Sequence, residues 1–360
     1  MHLGLFNLMT QRDRHGGPQI IEDTMAMIRL SEDIGFETAW FAEHHFSNYS
    51  MCVSPLVMAA HVAAATRRIK LGMAVLVLPL YHPVRMVEEI GLVDQLSDGR
   101  LVIGIGTGYQ RFEFAKFGEE LDERLERSLE LAEIMERSFR DESLSFSGKY
   151  YNVDDVPRCT RTLNNRRPEV YVTGGQPEMI AMGVKYGWIP FVTVGAQGHA
   201  ALVNQRDYTA SQYAKAGGDA AKMPFAVQRY VYVTDSKEDA LDAAERILYV
   251  NRLALSMRFN YQELDGPLLR PLPFKDEPTP EQVVDNVIIG DAHHCAQRMV
   301  EAVRTLNPMH WSCFMQFGGM DGKRALRSLE RFGNEVIPLV ERELGHKISE
   351  GGPRVVARRA

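Results

Sequence analysis

Short apolar runs alternate with segments of helical period along almost the whole chain, and the number of rounds is what narrows the fold. Runs of strand length fall at Leu3 to Met9, Thr38 to Ala42, Ile69 to Leu78, Leu101 to Ile105, Glu169 to Thr173, Ile189 to Val194, Phe225 to Thr234 and His310 to Phe317. Between them, apolar positions recur with helical spacing over Ile20 to Ile34, Pro55 to Thr66, Pro83 to Leu96, Asp122 to Phe139, Glu178 to Tyr186, His199 to Ala216, Lys237 to Asn251 and Ala292 to Leu306. Glu335 to Leu344 closes a last helix that begins near Asp321. Eight strand-helix units predict an α/β fold, the closed parallel (β/α)8 TIM barrel. An open doubly wound sheet alternates in the same way but seldom needs eight regular repeats.

Two stretches break the rhythm. Ser143 to Arg167 carries Phe146, Tyr150, Tyr151 and Val153 around Ser147-Gly148-Lys149, and reads as a hairpin and basic loop inserted after the fourth strand. Leu264 to Pro280 holds Pro267, Pro271, Pro273, Pro278 and Pro280, which bars a regular helix or central strand. Long loops in compact domains are usually lids or binding loops. This insertion, after the seventh strand and its helix, is the candidate active-site cover. The expected organisation is one barrel domain over residues 1–345 and a C-terminal tail over 346–360, ending in the basic run Arg354 to Arg359.

The 360 residues, 45% hydrophobic and 24% charged, suffice for a large core. A net charge of -6 and a pI near 6.0 argue against a nucleic-acid or membrane-surface protein. Cys52, Cys159, Cys295 and Cys313 are widely spaced with no CxxC pair, which fits reduced thiols. No apolar stretch reaches membrane-spanning length, and Met1 to Phe6 enters an apolar run without a charged leader. The expected location is the cytoplasm.

Chemistry points first to Glu43-His44-His45-Phe46, just past the second strand. Histidine exchanges a proton readily near neutral pH, and strand C-termini are where such barrels keep their chemistry. A pair of turn histidines, one packed and one solvated, is the bland alternative. Gly72 and Ala74 leave room for a flat ligand beside the third strand, or for tight barrel packing. Gly104-Ile105-Gly106-Thr107-Gly108-Tyr109 lets backbone amides approach a ligand, but Tyr109 at the sixth position breaks the dinucleotide fingerprint. Thr173-Gly174-Gly175-Gln176-Pro177 leads into a helix whose free N-terminal amides form an anion site, or is a plain strand-to-helix turn. Neither HExxH nor GxSxG is present, His293-His294 reads as a solvated pair at a helix start, and no metal site is expected.

Taken together, these residues resemble the bacterial luciferase-like flavin-dependent monooxygenases, closest in pattern to the luciferase α subunit. The shared elements are Gly35-Phe36 leading to Trp40, Glu43-His44-His45-Phe46, Leu71-Gly72, Val77-Leu78-Pro79, His82-Pro83-Val84-Arg85, Asp94-Gln95 with Ser97, Gly99-Arg100 and Phe117-Gly118. More loosely it continues through Val170-Tyr171-Val172 and Tyr186-Gly187 to Val336-Ile337-Pro338. The resemblance implies a (β/α)8 barrel, commonly a homodimer through helices next to the second and third strands, here Pro55 to Thr66 and Pro83 to Leu96. It implies reduced FMN supplied by a separate flavin reductase, and dioxygen adding at flavin C4a to give the (hydro)peroxide that oxygenates a small, mainly apolar organic substrate.

In that reading His44 is the catalytic proton donor and acceptor, with Glu43 and His45 orienting it or lining the pocket. Ala74-Val75 falls where the family places an unusual, often cis, peptide against the isoalloxazine ring. Phe6, Trp40, Phe46 and Trp311 are candidates for the dry wall of the flavin pocket, or for core. The departures are local. Thr107 stands where the luciferase α subunit has a phosphate-binding arginine, Leu125 at its second, between Arg124 and Arg127, and Gly106 replaces its reactive cysteine. The phosphate then falls to the Gly174, Gly175 and Gln176 amides with Thr107 and one of those arginines, and Gly106 and Tyr109 join Ala74 and Val75 as the other cofactor-binding candidates. A deazaflavin-dependent oxidoreductase on the same barrel and a non-catalytic flavin-binding homologue are the alternatives.

Overall fold

The computed structural model describes residues 1–13 and 16–348. Eight parallel strands, β1 (His2–Asn7), β2 (Thr38–Phe41), β3 (Lys70–Met73), β4 (Leu101–Gly106), β5 (Val170–Thr173), β6 (Ile189–Thr193), β7 (Ala226–Val233) and β8 (His310–Phe314), pair in order, and β8 returns to β1 to close the barrel. Most strand residues are buried on both faces, which is why their sequence runs are continuously apolar. The helices start where the sequence supplies caps. Ser54 accepts from Val57 N–H ahead of Pro55, Asp291 from His294 N–H, and Thr279 forms a capping box with Gln282.

Three expectations shift in detail. The run Ile69 to Leu78 is not one strand: a cis peptide at Ala74-Val75 interrupts it, and Leu76–Val77 resumes pairing with β4. The helix after β7 extends to Phe259, and a strand at Ile288–Gly290 pairs with the end of β7 before the wall helix Ala292–Leu306. The tail expected from residue 346 lies outside the described residues from 349 on, whereas Ile348 is buried and its N–H donates to Glu341.

The helix Lys237–Phe259 matters most for function because of what it crosses. Arg246 donates to the Gly319 carbonyl after β8, Arg12 from the loop after β1 stacks on Tyr249, the Tyr249 hydroxyl accepts from Asn48 after β2, and Arg258 lies over Tyr109 after β4. All four loops leave strand C-termini, so this helix spans the barrel mouth as a roof. The proline-rich segment that follows is pinned to the same place, because Asn48 bonds the Leu269 backbone through both N–H and C=O. The inserted hairpin is formed by Ser143–Ser147 and Asn152–Pro157, its turn held by three backbone N–H bonds to Glu130.

Inside the barrel the floor is filled by Trp40. Its indole stands 4.9 Å from the Tyr171 ring and 5.2 Å from Phe191, and donates to His310 Nε2 at 2.8 Å. A Cβ on Gly72 would come 2.3 Å from that indole and one on Gly4 2.6 Å, so both glycines exist to admit it. Gly72 therefore serves tight packing, not a flat ligand. Trp40 and Trp311, both wholly buried, are core.

Candidate active site at the barrel mouth

Two acid–imidazole pairs lie side by side at the loop after β2, one of them completed by Glu113 from the helix Arg111–Phe117. Glu113 Oε1 lies 2.9 Å from His44 Nδ1 and also accepts the His45 backbone N–H at 2.9 Å. Glu43 Oε1 lies 2.9 Å from His45 Nε2, while its Oε2 accepts Val77 N–H at 3.1 Å and the Tyr81 hydroxyl at 2.7 Å. All four side chains are buried. Glu43 thereby ties the histidine loop to the segment just beyond the Ala74-Val75 peptide. Burial pushes the Glu43 carboxyl above the usual range against the opposing pull of His45 and Tyr81.

The first pair has the outlook of a reactive group. A carboxylate beside Nδ1 fixes the proton there and leaves Nε2 as the exchanging atom. Tyr49 stands 4.5 Å and Tyr109 6.0 Å from the His44 ring. Burial, with Tyr109 and Tyr230 nearby, holds the Tyr49 hydroxyl well above its ordinary value, so it remains a neutral O–H. The second pair is shielded: His45 packs edge-on against Phe117 at 4.8 Å, and Phe117 meets Phe46 at 5.0 Å.

Glu113 escaped the sequence reading. Its signal is present, though: in the helix Arg111–Phe117 it shares a face with Gln110, Phe114 and Phe117, so an acid stands at a position the period reserves for burial.

Across the mouth, Gly106 ends β4 with its Cα facing Val75 and the Thr173 hydroxyl, each within 3 Å of where a Cβ would stand. Gln176 Nε2 donates to Thr107 Oγ1 at 3.1 Å, while Gln176 Oε1 is buried with no partner. The helix Pro177–Tyr186 begins there without a side-chain cap, and Gly174 adopts φ +96°, where a side chain is disfavoured. The Gly175 carbonyl accepts from Tyr208. Of the two arginines that the sequence offers for the phosphate, Arg127 is committed to Glu119 and Glu123, whereas Arg124 keeps a buried, unpartnered Nε. Phe6, half-buried, meets Phe314 at 4.9 Å just below the mouth. Among the described residues, no three His, Cys, Asp or Glu side chains converge as metal ligands would.

A closed (β/α)8 barrel with proton-handling side chains and uncapped amides at its strand C-termini is the architecture of an α/β-barrel enzyme with its chemistry at the mouth. The chain belongs to the luciferase-like monooxygenase family, whose profile matches residues 1–307. It is 32% identical over 347 residues to the y4vJ protein of Sinorhizobium fredii, covering 96% of this chain and 99% of that one. It is 25% identical to the oxygenase component of the flavin-dependent trigonelline monooxygenase of Acinetobacter baylyi, covering 94% and 95%. Three solved structures share the fold. Monooxygenase RslO1 of Streptomyces bottropensis has a TM-score of 0.79 at 18% identity over 94% of this chain and 99% of that one. The oxygenating constituent of 3,6-diketocamphane monooxygenase of Pseudomonas putida, in complex with FMN, gives 0.73 at 21% over 94% and 98%. An F420-dependent secondary alcohol dehydrogenase gives 0.71 at 18% over the same shares.

Proposed function

We propose that this chain is the oxygenase component of a two-component monooxygenase that uses reduced FMN and dioxygen on a small, mainly apolar organic substrate. The carrying observation is the Glu113–His44 pair at the mouth, an imidazole held in one tautomer under a roof. Reduced FMN, delivered by a separate flavin reductase, supplies the electrons that activate dioxygen. The residues present fit that cofactor. The uncapped amides around Gly174, Gly175 and Gln176 suit its phosphate, and the unpartnered Gln176 Oε1 suits a ribityl hydroxyl. Ala74, Val75, Gly106, Thr107 and Tyr109 are the residues that would border its ring.

His44 Nε2 gives and takes the proton at the reacting oxygen, and Glu113 keeps the other ring nitrogen protonated. Glu43 and His45 hold the loop in place. The roof helix and Leu269 exclude water, which suppresses unproductive loss of reducing power. Support for flavin use comes from the Acinetobacter baylyi relative, itself named as flavin-dependent.

The same barrel serves an F420-dependent dehydrogenase, so the test pits the cofactors against each other. The protein is mixed with reduced FMN under oxygen-18 gas, and separately with reduced F420 without oxygen, against a panel of aldehydes, ketones and aromatics. Label in a product with FMN is expected. Anaerobic reduction by F420 would replace this reading with hydride transfer, and oxygen uptake with no substrate turned over would point to a flavin-binding homologue.

The working unit in this proposal is a cytoplasmic homodimer of single barrels spanning 1–345. Val53, Val57, Leu92 and Leu96 are 52–67% exposed on or beside the helices Pro55–Ala65 and Pro83–Leu96, which pack together. Such a patch suits a self-complementary contact. Sedimentation is expected to give a dimer, and Val57→Glu with Leu92→Glu a monomer.

A further inference from the structure

We propose that the substrate is an organic acid, with an apolar body of ring size turned toward His44 and a carboxylate turned outward onto Arg258. The proposal deepens the reading above and rests on it for the reaction, not for the binding preference.

Three arginines are spaced six residues apart along the roof helix. Arg246 is paired with Asp242, and Arg252 with Glu245 and Glu277. Arg258 differs: among the described residues no carboxylate pairs with it. Its guanidinium is exposed and lies over two aromatic rings, 5.7 Å from the Tyr109 centroid and 5.5 Å from Phe259. A planar cation over aromatic rings is pre-organised for a bidentate carboxylate. Tyr109 is the ring that also stands 6.0 Å from His44, so Arg258 lies within about 12 Å of the imidazole, the span of one small molecule.

The surroundings supply the apolar body's site. Phe46, Tyr109, Phe117, Phe259, Tyr261 and Leu264, 37–65% exposed, belong to the histidine loop, the loop and helix after β4, and the end of the roof. Phe46 and Phe117 meet at 5.0 Å, and Arg258 links Tyr109 to Phe259, so exposed apolar groups stand on both sides of the histidine loop. The inner end of the pocket sets the orientation. Glu113 is buried beside His44, so a carboxylate there would face a second carboxyl group, whereas at Arg258 it meets an unpaired cation.

The test needs neither flavin nor oxygen, so it stands or falls apart from the monooxygenase reading. Binding of 2-naphthoate and of its uncharged counterpart 2-naphthamide to the full chain is measured by isothermal titration. The acid is expected to bind at least about fivefold tighter, and added salt to weaken only the acid. Arg258→Gln should bring the two within about twofold by weakening the acid alone, and Arg258→Lys should keep part of the preference. Equal affinities in the wild type, a preference that survives Arg258→Gln, or no saturable binding of 2-naphthoate would each overturn the proposal.

Discussion

The two ends of the barrel use the same ingredients to opposite purpose. At the floor, His310 accepts from Trp40 at 2.8 Å and has Glu37 no nearer than 4.0 Å, while Lys70 takes up Glu37 at 3.1 Å and Glu169 at 3.2 Å. Burial, with His2 and Lys70 nearby, depresses His310 to about 3, so it stays neutral and inert. At the mouth, His44 has its acid at 2.9 Å, and around it lie an unpartnered Gln176 oxygen, an uncapped helix start and exposed rings. A histidine near a carboxylate is thus not yet a functional site. What separates the two ends is access: His310 is sealed among the Trp40, Tyr171 and Phe191 rings with its Nδ1 unpartnered, whereas His44 stands past a strand C-terminus beside partly exposed rings.

Substitutions at the two ends should therefore fail differently. His44→Ala is expected to leave the chain folded and able to bind FMN while lowering turnover roughly 100- to 10,000-fold; unchanged turnover would erase the contrast. Trp40→Ala at the floor should do the reverse, costing about 3–5 kcal/mol of stability in urea unfolding with little change in turnover per folded molecule. A stable but inactive Trp40→Ala protein would mean that the floor reaches into catalysis. A smaller effect is expected across the mouth. Gly175→Leu, whose side chain would crowd Tyr208 from a Cβ only 3.2 Å away, should weaken FMN about tenfold and riboflavin hardly at all. Equal losses for both would move the phosphate elsewhere.

How far the sequence showed this contrast depended on whether the signal was local. The barrel was legible because eight apolar runs and helical segments carry it in their own periodicity, and Glu43-His44-His45 was legible because it follows a strand. Glu113 was not, since its partner lies 69 residues away and only packing brings the two together. The roof was half legible. The helix pattern after β7 is plain, but nothing in its period tells that Asn48, Tyr109 and Gly319 draw it across the mouth rather than down the wall. Gly72 stayed ambiguous for a related reason: a small residue beside a strand reads as ligand space or as tight packing, and only the fold shows that the indole of Trp40 fills that space from another strand.

The effect of a single titrating group sharpens the comparison through pH. His310 has a folded value of about 3, below the ordinary histidine value of 6.5. Above 6.5 both folded and unfolded chains carry it neutral, and its contribution is complete. As the pH falls from there toward 3, the unfolded chain takes up a proton that the folded chain refuses, so stability declines by about 1.4 kcal/mol per pH unit from this one group. Glu43 at the mouth acts with the opposite sign. Its raised carboxyl binds a proton in the folded state first, so its contribution is full below 4.5 and is lost as the pH rises through the folded value. His310→Gln retains an acceptor for the Trp40 N–H and removes the titration. Urea unfolding between pH 6 and 4 should then lose one proton's worth of slope relative to the wild type. An unchanged slope would show that His310 charges within the fold, and the floor would no longer be the inert end.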